Sequence, residues 1–524
     1  MNENLEDRLN TAPALSRKLI FAQALAVGAF GAWVLLVRRP LGWPGEWTID
    51  VYGAIYPVQF LAAPALTLAG FAGLIAYLWR LMNNEKIDSH RHALAWTIAV
   101  CLSVAAWASQ MALWSVAPES VTRLAAIQLS DVSTGYLSEA MQIHDPSRYL
   151  RRYAEEMPRK AEHVATHPPG AVLFFYAVRR IGATFPALNR AVLEASSTAV
   201  GVTIPELRTD VMRYPTARWH GSEGLATAIL ASWLLGVAGA LMPLVTFAAL
   251  HRWLGFQRAL ATAALLALVP GMLLYFATLT QIMMLCSAVM MAVLVATQRH
   301  WAWSALAGLV AATALFVSLG ALALVGLGGL FLLLRAAKQV GQSGDSSWSK
   351  TPSVLLPPAV FGVAVLVGVG LWYVVGVDAI EVFTQGLGAH SEITGLASFR
   401  RYRVWAWMNL VEFLIFLGLP FAVLLIASMP RMIRTLRRMS GMMLPAYLGT
   451  AAVLTLLMLN FSGVVLGETG RLWMLFAPWL AAGVSPLLID EEGSHWRLLA
   501  ITCALTALQL LLMAWTMQPI MRPY

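Results

Sequence analysis

The stretch Glu162–Tyr176, EHVATHPPGAVLFFY, sets His163 and His167 four residues apart and follows them at once with Pro168, Pro169 and Gly170. That spacing fits one helical face and would suit a metal pair. The prolines end any helix running through both rings, however, and no third ligand is evident. They suit instead the first turn of a new helix, where a missing N–H costs nothing. His167 then sits at that helix's N-terminus, beside unpaired backbone N–H groups and the positive end of the dipole, a place suited to an anion such as phosphate. Plain helix-start punctuation uses the same residues.

Other reactive side chains are grouped in the same uneven way. Upstream, SDVSTGYLSEAMQIHDP carries Asp131, and Tyr136, Glu139 and Met141 follow at spacings that predict a helix on the membrane surface. Asp145-Pro146-Ser147 breaks that helix or caps the next. Tyr214 and His220 fall in a second polar patch over 214–223. A third, 385–403, holds His390, Glu392 and three arginines; Arg401 with Tyr402 could grip a phosphate, or anchor beside Trp405 and Trp407 at the interface. The fourth, in NFSGVVLGETGRLWMLFAPW, places Glu468 and Arg471 three residues apart at the mouth of an apolar run. They can simply pair, but a polar pair so close to hydrocarbon is costly enough to point to function. One outward-facing cleft lined by 128–170, 214–223, 385–403 and 460–473 is the expectation.

The elements that must position these groups are membrane helices. Of the 524 residues 59% are hydrophobic and 12% charged, and the mean hydropathy is +0.68, which indicates an all-α, polytopic membrane protein. Apolar runs predict about 11–14 spans, with 13 preferred: 18–37, 57–79, 94–116, 224–250, 259–277, 282–297, 301–317, 318–334, 354–375, 405–428, 442–459, 472–488 and 498–516. The chain thus divides into N-terminal spans (1–116), a large outer loop bearing short surface helices (117–223), and a bundle (224–524) with outer loops at 376–404 and 460–471. The segment 168–182 reads as re-entrant.

With the N-terminus inside, short inner loops carry 17 Lys and Arg against 7 outside, so the polar patches fall on the outer face of a plasma (inner) membrane. Cys101, Cys286 and Cys503 lie singly in apolar runs and read as packing residues. The net charge of +9 is spread over short loops with no basic, aromatic-interleaved surface, so no nucleic acid partner is expected.

The order SDVSTGY, a helical segment, then THPPGAVLFFY opening an apolar helix resembles the GT-C superfamily of polytopic glycosyltransferases, such as lipid A aminoarabinose transferases and protein mannosyltransferases. GETGRLWMLFAPW is similar to a motif in bacterial members of the same kind. This resemblance implies a sugar donor on polyprenyl phosphate, transfer at the outer face to a glycan, lipid or protein acceptor, and membrane lipids as surroundings. Asp131 matches the family's catalytic acidic residue and would be the general base. His167, Arg401 and Arg471 would stabilise the departing phosphate, and Glu139, His163, Tyr214, His220, His390 and Glu468 would line the site. The chain departs from the family in having a single Asp where many members pair Asp with Glu, Gly170 where leucine is usual, and two extra spans before the catalytic loop. A divalent metal ion stays open, one firm carboxylate being too few to define its site. The competing class is a transporter or lipid flippase without covalent chemistry, for which charges or broken helices near mid-membrane would be expected.

Overall fold

In the computed structural model, residues 3–43, 47–52, 57–82, 91–116, 120–297, 300–342, 351–394, 399–438, 443–489 and 496–517 are described. The fold is all-α, 84% helical. One small exception is an antiparallel pair of three-residue strands, Leu41–Trp43 and Trp47–Ile49, with Leu41 opposite Ile49.

Ten helices among the described residues are long and apolar enough to cross a membrane: Leu15–Val37, Val58–Tyr77, His92–Trp114, Gly221–Leu254, Leu319–Val340, Val354–Val374, Leu419–Arg437, Met443–Phe461, Thr469–Leu488 and Trp496–Thr516. Against the expected 11–14 that is ten, or eleven if the bent pair Gly170–Thr184 and Pro186–Val200 is one span, and three of the 13 preferred runs fall short of the length for two physical reasons. First, the run at 259–277 is two pieces, Phe256–Leu266 and Pro270–Leu274, because Pro270 has no N–H to continue a helix. Second, the runs at 282–297 and 301–317 do form apolar helices, Thr280–Ala296 and Trp303–Val317, but of only 17 and 15 residues. The run at 405–428 also breaks, at Gly418, whose φ of 101° no helix accepts, leaving Phe399–Leu417 and Leu419–Arg438, the second of which is still long enough to span.

These breaks are sealed from a distance. Gln509 on the last helix accepts the Leu419 N–H at 2.8 Å and donates to Ile415 O at 2.8 Å, so both groups freed at Gly418 find partners. Around Pro270, Gln281 donates to Met272 O at 2.8 Å and to Tyr275 O at 3.0 Å, and Gln128 donates to Ala277 O at 2.7 Å. All three glutamines are buried, and their amides stand in for the water that hydrocarbon excludes.

Between the third and fourth long helices, the described segment is built mainly of short helices: Ser120–Leu129, Tyr136–Gln142, Pro146–Glu156, Glu162–Ala165, Gly170–Thr184, Pro186–Val200 and Ile204–Val211. Asp145 caps the third of these as expected, accepting from Ser147 N at 2.9 Å and Arg148 N at 3.1 Å. The Tyr136–Gln142 helix is present but does not lie on a surface. Tyr136, Leu137, Ser138 and Ala140 are buried, because it packs against Gly170–Thr184. The latter helix and Pro186–Val200 meet at 103°, a sharp turn back where the sequence suggests a re-entrant segment.

Candidate functional site

The most tightly built feature is the loop GETGR, held by one face of the Phe399–Leu417 helix. Tyr402 donates to Phe461 O (2.9 Å), and Asn460 donates to Ala406 O (3.0 Å). Asn409 donates to Val465 O (2.7 Å), accepts from Gly467 N (2.9 Å), and offers its own carbonyl to the Thr469 hydroxyl (2.7 Å). One turn further on, the buried carboxylate of Glu412 accepts the Gly470 N–H at 2.9 Å. Residues 402, 406, 409 and 412–413 recur at helical spacing, so a single stripe meets the whole loop. Gly470 has no room for a Cβ, which would strike the Phe416 ring.

Clamped in this way, Glu468 takes φ 56°, a left-handed conformation that costs a non-glycine residue about 1–2 kcal/mol. Among the described residues only Arg38 shares it. The bent backbone turns the Glu468 carboxylate onto the Arg471 guanidinium, with which it forms an ion pair. Such strain persists where the surroundings over-determine it, and it clusters at functional sites.

The His-Pro-Pro segment lies within electrostatic reach of this loop, since Arg471 acts on both of its histidines. The helix after it begins at Gly170, with Pro169 as its N-cap, so the prolines precede the first turn instead of occupying it, and His167 stands three residues before Gly170. Gly170 is required because a Cβ would run into the Phe316 carbonyl, which is why leucine is absent here. His163 lies in the one-turn helix Glu162–Ala165, separated from His167 by the turn at Thr166, so the two rings do not share a helical face.

Tyr153, fully buried, donates its hydroxyl to His167 O at 2.7 Å, with Val164 O at 3.0 Å, and so fixes the backbone at His167. The Tyr136 ring stacks on His167, their centroids 6.4 Å apart. His167 Nδ1 is buried and has no hydrogen-bond partner among the described residues.

Electrostatics ties these groups to the loop. Burial chiefly, then the positive field of His163, Arg471 and His390, pushes the His167 imidazole down to about 3, so it is neutral at physiological pH. His163 is lowered by burial and by Arg471, with Glu468 opposing. Tyr136 is raised by burial, and Arg471 and Glu468 both act on it. His390, on the helix Ala379–Thr394, sits 2.8 Å from Val464 O and joins that helix to the loop. Five expected site residues, His163, His167, His390, Glu468 and Arg471, are therefore brought together. Tyr136, Asn409 and Glu412 complete the arrangement. The only sequence signal for Glu412 is a charge inside an apolar run, and for Asn409 there is none.

Asp131 belongs to an adjoining cluster. It follows Ser130, whose hydroxyl bonds Thr216 at 2.8 Å, while Arg218 N donates to Leu129 O at 2.9 Å. This short bridge brings Arg218 onto the Asp131 carboxylate as an ion pair. The other carboxylate oxygen, Oδ1, is buried without a partner among the described residues. His220 lies nearby, its Nε2 3.0 Å from the Ser138 hydroxyl, and it is lowered by burial against an opposing pull from Asp131. Tyr136 and Ser138, two residues apart, leave opposite sides of their helix, which thus stands between the two clusters.

The remaining expected residues are placed elsewhere. Glu139 pairs with Lys160, which also lies 3.7 Å from Glu156 and over the rings of Tyr149 and Tyr153. Its role is to brace the segment carrying Tyr153. Tyr214 lies in the turn after Ile204–Val211, its carbonyl accepting from Ala217 N at 3.1 Å. Arg401 is 11 residues before Glu412 on the same helix, about 16 Å along the axis. Among the described residues no three His, Cys, Asp or Glu side chains are placed to hold a metal ion.

No family model, curated protein or solved structure matches the chain.

Proposed function

We propose that this multi-pass membrane protein is a glycosyltransferase that moves a sugar from a polyprenyl-phosphate donor to an acceptor at the outer face of the plasma (inner) membrane, with the N-terminus cytoplasmic. The observation that carries this reading is the electrostatic link between the His-Pro-Pro segment and the GETGR loop, in which a largely enclosed guanidinium acts on a neutral imidazole and on a tyrosine stacked against it. A polyprenyl phosphate is a good leaving group, so displacement at the anomeric carbon needs a base for the acceptor's proton and a cation for the departing phosphate. Arg471 supplies the charge. His167 is neutral and contributes only a hydrogen bond. Asp131, with one oxygen on Arg218 and the other without a partner among the described residues, is the base.

Transport is the competing reading, and the break at Pro270 is the kind of feature it requires. The glutamine amides that occupy Met272 O, Tyr275 O and Ala277 O weigh against an ion or substrate site there.

The test is transfer from a panel of labelled polyprenyl-phosphate sugars by purified protein in lipid, wild type beside Asp131→Asn. Product from the wild type alone supports the reading and the base. Equal activity in the variant moves the base elsewhere. Labelled substrate crossing vesicles with no glycosylated product would replace transfer with transport.

A further inference from the structure

We propose, resting on the reading that the outer site takes a polyprenyl phosphate, that Glu468 is the resident counter-ion of an anion seat at Arg471: its carboxylate holds the guanidinium until the ligand's phosphate displaces it. Three observations combine to support this exchange.

The first is the asymmetry of the pair. The Arg471 side chain is 13% exposed and that of Glu468 is 23% exposed, so the carboxylate is the more exposed member of the pair. A guanidinium this enclosed needs a negative partner at all times, whereas Glu468 can be solvated when released.

The second is that the loop does not depend on the carboxylate. It is tied to Asn409 and Glu412 through the backbone groups Val465 O, Gly467 N and Gly470 N and through the Thr469 hydroxyl. Glu468 can swing away while its own backbone stays in place. The clamp also explains why a glutamate is kept at φ 56°, where glycine would be unstrained: the side chain has a use that offsets the strain.

The third is what faces the pair. Tyr136, His163, His167 and Tyr275 all lie in the field of Arg471, and His390 acts on His167. Glu412 is already engaged by Gly470 N–H. The Tyr136 hydroxyl is engaged by His163 O at 3.4 Å, whereas His167 Nδ1 is buried without a partner among the described residues. A phosphate monoester or diester has enough oxygens to take the guanidinium from Glu468 and to meet the imidazole as well.

The exchange makes a prediction opposite in sign to that for a merely structural ion pair. Binding of farnesyl phosphate, with farnesol as the uncharged control, is measured on the full-length protein in lipid nanodiscs. Glu468→Gln removes the competing charge and should tighten farnesyl phosphate by roughly five- to tenfold, the usual size of a coupling between two sites. Arg471→Gln should lose phosphate-dependent binding, and the double variant should resemble Arg471→Gln. Glu468→Gly, which suits the left-handed backbone, should also tighten binding and guards against a folding defect in the glutamine variant. Weaker or unchanged binding in both Glu468 variants overturns the proposal, as does failure of wild type and variants alike to prefer farnesyl phosphate over farnesol. Tightening without sugar transfer from any donor would keep the anion seat and remove the glycosyltransferase reading.

Discussion

Two carboxylate–arginine pairs flank the Tyr136–Gln142 helix, and they are built to different ends. In both, the carboxylate side chain is 23% exposed, but Arg218 is 66% exposed and Arg471 only 13%. An exposed guanidinium is screened by water and holds its partner weakly, whereas an enclosed one cannot do without a counter-charge. The difference therefore lies in the cation. Beside Arg218, Asp131 is a carboxylate that can turn to other work; beside Arg471, an anion is something the site requires. One pair suits proton transfer and the other suits phosphate.

The strongest way to break this contrast is to neutralise each arginine in turn. Arg471→Gln should lower sugar transfer by about 10²–10³, the usual loss when a preorganised charge stabiliser is removed. Arg218→Gln should cost less than about tenfold, because its charge is largely solvated. Equal losses in a transfer assay would show that the two pairs do one job. In the same assay Asp131→Asn should suppress transfer by about 10²–10⁴ while farnesyl phosphate binding stays near wild type.

Next in size is the junction that presents the phosphate side. Gly170→Ala puts a methyl group against the Phe316 carbonyl, a backbone atom that cannot rotate away, and should destabilise by about 1–3 kcal/mol. The reading is a lower Tm with weakened lipid-phosphate binding. An unchanged Tm would mean that the His-Pro-Pro helix does not press on the helix bearing Phe316.

The fold was legible in outline because apolar runs fix where helices can lie, and the all-α class follows from them. What ends those helices was not, since the partners are far away in sequence. Nothing local says that Gln509 will serve the break at Gly418, 90 residues from Leu419, or that Gln128 will reach Ala277. The site divides in the same manner. Histidines, prolines and the Glu468–Arg471 spacing could be read from local chemistry. Tyr136 read as a surface residue because only the packed neighbour helix buries it. Asn409 and Glu412 act on backbone groups some 58 residues away, which no motif records.

A smaller effect sharpens the contrast through pH. His167 is held near 3 in the fold against an ordinary value of 6.5. Below pH 6.5 the unfolded chain takes up a proton that the folded chain refuses. This group's contribution is thus complete above that value and is lost as the pH falls. His167→Asn should flatten the fall of Tm between pH 6.5 and about 5. An unaltered slope would mean that the imidazole is charged in the fold, and the phosphate side would then hold two cations instead of one.

The smallest expected effect concerns Tyr153, which touches neither ion pair. Its hydroxyl is bonded to His167 O and Val164 O, and Lys160, paired with Glu139, lies over its ring. Tyr153→Phe keeps the ring and removes one donor, for about 1 kcal/mol. If the hydroxyl serves only stability, Tm alone should move. If it positions the imidazole, farnesyl phosphate affinity should also fall, by about two- to fivefold, with Asp131-dependent proton transfer unaffected, because only the Arg471 side of the helix is reached through His167. A change in the pH profile of transfer without a change in affinity would join the two clusters and undo the separation on which the contrast rests.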